Sequence, residues 1–111
     1  MESRKLFTTI AVGDLELPNR IVMAPMTRLR AHDDGVPSDV MAQYYAQRAT
    51  AGLIVTEATM VSPLSNGYMS APGIYKEAHR DGWMEVVKRV HSSGGRIFLQ
   101  LWHSGRVSHP F

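Results

Sequence analysis

The side chains best placed for chemistry stand at the ends of three apolar runs in this 111-residue chain: Ile21-Val22-Met23-Ala24, Leu53-Ile54-Val55 and Ile97-Phe98-Leu99. If the last run is a strand, successive side chains point to opposite faces. Ile97, Leu99 and Leu101 then share a face suited to covering helices, while Phe98, Gln100 and Trp102 face the other way. An inward Gln100 needs partners, because an amide buried without them costs on the order of 1–3 kcal/mol. Its side chain is both donor and acceptor, which suits a heterocycle carrying carbonyl and N–H groups; neighbouring backbone would satisfy it too. Thr27 has the parity of Ile21, Met23 and Pro25, and its hydroxyl either donates to a ligand oxygen or caps a loop. Trp102 is a pocket wall or part of the core. Tyr68, following Ser62-Pro63-Leu64-Ser65-Asn66-Gly67, either covers a site or is a surface aromatic. Glu57, at the end of the second run, is a candidate general base or an acceptor for loop amides, and His103 is read as loop support.

Several chemistries are disfavoured. The histidines at 32, 79, 91, 103 and 109 show neither H-x-H nor H-E-x-x-H spacing, so no metal site is expected. Without cysteine there is no thiolate nucleophile and no disulfide framework, which fits a reducing cytoplasm. The twelve Lys and Arg are scattered and the net charge is only +2, so no nucleic-acid patch is expected. No apolar run approaches the roughly 18 residues of a membrane span. The first ten residues lack the features of a secretory signal.

The elements that must position these groups follow from pattern. Ile10 and Val12, then Leu15 and Leu17, flank the turn candidate Gly13-Asp14, predicting a hairpin over about 8–18. The continuous apolar runs read as strands buried on both faces, over about 20–24, 53–57 and 97–101. Between the first two, Ser38 starts a helix whose Met41, Tyr44, Tyr45 and Ala49 recur at helical spacing, with Gly52 as its stop. Between the second and third, Trp83, Val86, Val87 and Val90 mark a helix over about 77–92, with Gly82 inside it and Gly94-Gly95 at its end. Hairpin, β, α, β, α, β implies a parallel α/β sheet, either doubly wound or the opening of a (β/α)8 barrel. The doubly wound dinucleotide fold wants G-x-G-x-x-G after its first strand, where this chain has Ala24-Pro25-Met26-Thr27. A barrel needs no such fingerprint and keeps its chemistry at the C-terminal strand ends.

Five stretches then resemble, in order, the old yellow enzyme family of FMN-dependent reductases. They are Leu17 to Arg28 (LPNRIVMAPMTR), Tyr44 to Ala49 (YYAQRA), Gly52 to Ala58 (GLIVTEA), Ala71 to Tyr75 (APGIY) and Gly94 to Arg106 (GGRIFLQLWHSGR). The resemblance implies that residues 1–111 are the N-terminal part of a single FMN-binding (β/α)8 barrel, incomplete on its own, with the hairpin closing the barrel base. It implies that Ala24, Pro25 and Met26 contact FMN, the latter two along the isoalloxazine, and that Thr27 donates near the flavin O4 and tunes it. Ala58 would present backbone to the flavin, Gln100 would bond its pyrimidine edge, and Tyr68 and Trp102 would line the substrate pocket. The implied reaction is reduction of FMN by NADPH or NADH, then of the activated C=C bond of an enone or nitroalkene. The family's His/His or His/Asn pair, its proton-donating Tyr and its phosphate-binding residues belong further along the pattern, so a complementary C-terminal barrel chain is the expected partner. The alternatives are a non-catalytic truncated fragment or interaction module, and a flavin-free barrel lyase or isomerase.

Overall fold

The computed structural model describes residues 2–109. After a 3₁₀ turn at Glu2–Phe7, the chain forms an antiparallel hairpin of β1 (Ile10–Val12) and β2 (Leu15–Leu17), with Val12 opposite Leu15 across Gly13-Asp14. There follow β3 (Val22–Met23), α1 (Asp39–Ala46), β4 (Leu53–Met60), α2 (Glu77–Ser92) and β5 (Ile97–Trp102). Strands β3, β4 and β5 lie side by side in chain order, and both pairings are parallel. This is the expected α/β succession, and among the described residues no barrel closes.

Helices α1 and α2 pack together and cover one face of the sheet. Met41, Ala42 and Tyr45 of α1 meet Trp83, Val86 and Val90 of α2 over Ile54 of β4, with Met23, Ile97 and Leu99 packed against them. The apolar stripes recur at helical spacing, so burying one side of each helix buries all of these at once. Inside α2, Gly82 gives up roughly 1 kcal/mol of helix propensity. A Cβ there would come within 2.7 Å of the Pro37 ring, so the glycine lets α2 begin against that loop.

Three details differ from the pattern reading. α1 ends at Ala46 and the chain reaches β4 through turns, so Ala49 packs on the core from outside the helix. Gly52 is therefore not a helix stop. A side chain there would collide with the Asn19 carbonyl, and its N–H donates to the Ile21 carbonyl at 2.8 Å, so it is a close crossing of two segments. In β5, Ile97 and Leu99 face the helices as expected, but Leu101 is 64% exposed because the strand runs past the helical cover.

Candidate cofactor cleft

The short strand β3 stops at Met23, and an extended segment without regular pairing carries on to Arg30. Strand parity does not survive this change. Met23 packs on the helix side, whereas Pro25 and Thr27 turn to the far side of the sheet. Ala24 and Met26 lie outside the cleft lining, which separates them from Pro25 and Thr27 and the other site candidates.

Strand β4 reaches the same place by an irregularity. Its pairing with β5 runs Ile54↔Ile97 and Val55↔Phe98, then resumes at Ala58↔Gln100. Three steps on β4 therefore match two on β5, which is a β-bulge carrying one extra residue. In regular register Glu57 would have stood beside Gln100. The bulge puts Ala58 there instead and sends Glu57 into the helix layer, where it is 1% exposed. Its carbonyl accepts from the hydroxyls of Thr56 and Thr59, each at 3.0 Å, and the Thr56 hydroxyl in turn accepts from the Gln100 N–H at 3.0 Å. The bulge is thus tied by side chains at the point where the ladder is interrupted.

The loop after β4 brings the last wall. Ser104 donates from its backbone to Ser65, and Val61 to Trp102, so the segment carrying Tyr68 folds over the end of β5. The Trp102 indole N–H donates to the Ser104 hydroxyl at 3.3 Å, and His103 Nδ1 accepts from the Gly105 N–H at 2.9 Å, the loop-supporting place expected of it. Pro25, Thr27, Ala58, Tyr68, Gln100 and Trp102 thereby line one cleft of about 430 Å3. That volume lies within the usual range for small-molecule sites, and its walls are largely flat and apolar.

The polar groups divide cleanly. The side chains of Thr27 and Gln100 face the cleft with no hydrogen bond to any described protein group. A flat heterocycle with carbonyl and N–H groups along one edge fits such a donor set. Behind the sheet, Glu57 Oε2 accepts from the Tyr45 hydroxyl at 2.7 Å, and that hydroxyl accepts from the Glu57 N–H at 2.9 Å. Burial, then the neighbouring carboxyl, pushes the Tyr45 phenol far above its ordinary range. Burial also pushes the Glu57 carboxyl up from its ordinary 4.5, against the pull of the Tyr45 hydroxyl and of Arg28. Glu57 is therefore outside the cleft and cannot serve there as a base. Tyr45 and Thr56 were readable from sequence only as core and strand residues. The sole hint of their role was a polar Thr-Glu-x-Thr cluster inside an otherwise apolar strand.

No group of three or more His, Asp or Glu side chains assembles into a metal site among the described residues. No helix among them is long and apolar enough to cross a membrane. Residues 5–110 match the model of the NADH:flavin oxidoreductase / NADH oxidase family. The chain is similar to chanoclavine-I aldehyde reductase of Penicillium roqueforti, with 52% identity over 108 residues that make up 96% of this chain and 29% of that protein. Its fold is similar to that of morphinone reductase, solved in complex with tetrahydroNAD, at a TM-score of 0.90 and 56% identity, covering 94% of this chain and 28% of that one. The old yellow enzyme homologue of Zymomonas mobilis gives a TM-score of 0.90 at 51% identity, covering 92% of this chain and 29% of that one. The chain thus spans less than a third of the length of these relatives. A parallel βαβαβ start, a cleft at its strand ends and a family match over nearly every residue lead to one assignment: the chain belongs to the NADH:flavin oxidoreductase / NADH oxidase family, that of the old yellow enzymes, and forms the N-terminal segment of their barrel.

Proposed function

We propose that this segment forms one wall of an FMN site in a cytoplasmic ene-reductase whose barrel is completed by the further strands and helices that its relatives carry. The observation that carries the reading is the convergence of Thr27 and Gln100, from separate strands, on one flat-walled cleft with their side chains uncommitted. When bound, FMN supplies the redox chemistry, accepting hydride from NADPH or NADH and delivering it to the activated C=C bond of an enone or nitroalkene.

The protein's own part is orientation and electrostatics. Gln100 holds the pyrimidine edge with donor and acceptor together, and Thr27 donates to the ring where negative charge develops on reduction. Ala58 has a side chain small enough to let backbone approach the ring, and Pro25 gives it a flat floor. Ala24 and Met26 flank that floor. Trp102 and Tyr68 border the space left for substrate, where close confinement of the alkene raises its effective concentration at the reacting centre. The exposed edge of β5 and the uncovered face of the sheet support the need for further strands. A complete barrel is about 250 residues or more.

The test is to purify the native assembly and record its mass and visible spectrum. Flavin absorbance with the mass of a completed barrel is expected; a completed barrel that takes up no FMN would sink the proposal. Within the flavoprotein, Thr27→Ala should slow flavin reduction by about 10²-fold while FMN stays bound. An unchanged rate would remove Thr27 from its donor role.

A further inference from the structure

Of the histidines at described positions, His79 in the first turn of α2 is the one that is buried, at 0% exposed. Its ring lies among loop residues. A Cβ on Gly35 would come within 3.0 Å of Nε2, and one on Gly73 within 2.7 Å of Cε1, so two glycines leave the slot that the ring fills. The Tyr75 ring meets it edge-on, with centroids 4.5 Å apart. Both ring nitrogens are committed. The Tyr75 N–H donates to Nδ1 at 3.3 Å, and the Asp34 carbonyl lies 2.8 Å from Nε2. An N–H only donates and a carbonyl only accepts, so the ring carries one proton, on Nε2, and donates it to Asp34.

These partners belong to different loops. Asp34 is in the connection from β3 to α1, and Tyr75 is near the end of the connection from β4 to α2, which carries Tyr68. The two loops also join each other directly. The Gly73 N–H donates to the Gly35 carbonyl at 2.9 Å, and the Ala31 N–H to the Ser70 carbonyl at 3.1 Å. Beside the second bond each loop has a non-glycine residue in the left-handed region, Leu29 at φ 56° and Ser70 at φ 57°. Such conformations persist only where the surroundings hold them. Tyr68 stands two residues before Ser70, so its place at the cleft depends on this junction. Thr27 is closer to a tie of its own, because the Ser38 hydroxyl donates to the Arg30 carbonyl.

We propose that His79 is a positioning residue that latches the β3–α1 loop to the β4–α2 loop through its Nε2–H and so fixes Tyr68 at the cleft. This rests on the reading of Tyr68 as a border of the substrate space and adds a cause for its position. Buried groups that touch no ligand commonly orient those that do. The bond to Asp34 is the one that spans the loops, whereas the bond from Tyr75 stays within four residues of His79.

The test uses the assembled flavoprotein, with 2-cyclohexenone as the enone, and reads turnover, flavin reduction and amide hydrogen exchange. His79→Phe keeps a ring but neither bond. It is expected to raise KM for 2-cyclohexenone about tenfold, since a loosened wall confines the alkene less, and to leave the limiting rate of flavin reduction unchanged. Exchange at the Ala31 and Gly73 amides should quicken by about tenfold, while the Val86 and Val90 amides within α2 keep their protection. Two polar variants tell the bonds apart. His79→Gln puts an amide near the Nε2 position and should bring KM back to within about twofold of wild type. His79→Asn reaches only the Nδ1 position and should leave KM raised. That pair carries the test if the phenylalanine variant folds poorly. An unchanged KM in His79→Phe, or an asparagine variant as close to wild type as the glutamine one, would overturn the proposal. Exchange that quickens equally throughout α2 would overturn it as well, because His79 would then hold the fold as a whole and no particular loop. A wild-type assembly that binds no FMN would overturn the flavin reading and this inference together, and is distinguished by the absence of flavin absorbance before any variant is made.

Discussion

The two faces of the three-stranded sheet are built on opposite principles. On the helix side, apolar groups are buried and most polar ones are partnered: Tyr45 with Glu57, Trp83 with the Gly73 carbonyl, Thr56 and Thr59 with the bulge. On the other side Phe98 is 49% exposed, Trp102 is 41% exposed, and the side chains of Thr27 and Gln100 have no hydrogen-bond partner among the described residues. The first face is a finished core. The second is half of one, carrying polar side chains whose hydrogen-bonding capacity the described residues leave open. A residue's chemistry alone does not distinguish these roles. Whether its hydrogen-bonding capacity is already committed does.

The contrast breaks most visibly at Trp83, which is buried, bonded to the Gly73 carbonyl at 3.0 Å and packed near Tyr45 with ring centres 6.3 Å apart. Trp83→Ala should cost about 3–5 kcal/mol, as large-to-small changes in packed cores do. Chemical denaturation of variant and parent measures it. A loss below about 1 kcal/mol would mean the helix face is not the stabilising one.

Next in size is the pH dependence contributed by Glu57. Its folded carboxyl titrates above its ordinary 4.5 because burial disfavours the anion. The folded state therefore holds that proton more tightly than the unfolded state does. The stability it contributes is fully present below about pH 4.5 and is lost as pH rises through the higher folded value. Glu57→Gln cannot ionise, so its melting temperature should gain on the parent as pH rises from 4.5 and then level off. A gap between the two proteins that stays constant across that range would show that the carboxyl is not held neutral by burial.

How much of this was legible in the chain depended on how regular each strand is. β5 keeps strict alternation, so the shared face of Phe98, Gln100 and Trp102 was readable from spacing. β3 is two residues long, and parity counted from Met23 to Thr27 crosses from a paired strand into an unpaired segment. Thr27 does reach the cleft, but Met23 faces the helices, so the counting rule behind that placement did not hold. The bulge at Thr56-Glu57 was invisible. Neither glycine nor proline marks it, and of the hydroxyl bonds that tie it, those from Gln100 to Thr56 and from Tyr45 to Glu57 form only once β4, β5 and α1 are packed. Gly52 misled for a related reason, since a glycine needed for a close crossing has the same letter as one that stops a helix.

The smallest expected effect falls on the open face, and its smallness is what makes it informative. Phe98 pairs with Val55 across the ladder, yet its side chain is half in solvent. Removing it from the 111-residue chain takes away little burial, so Phe98→Ser should change the stability of the chain alone by no more than about 0.5 kcal/mol. The same substitution removes apolar surface beside an unpaired edge, which is where chains self-associate. Light scattering should therefore fall while the denaturation midpoint holds. A cost of several kcal/mol instead would mean that Phe98 is already covered in solution, by a second copy or by other chain, and that the two faces are less different than their exposure indicates.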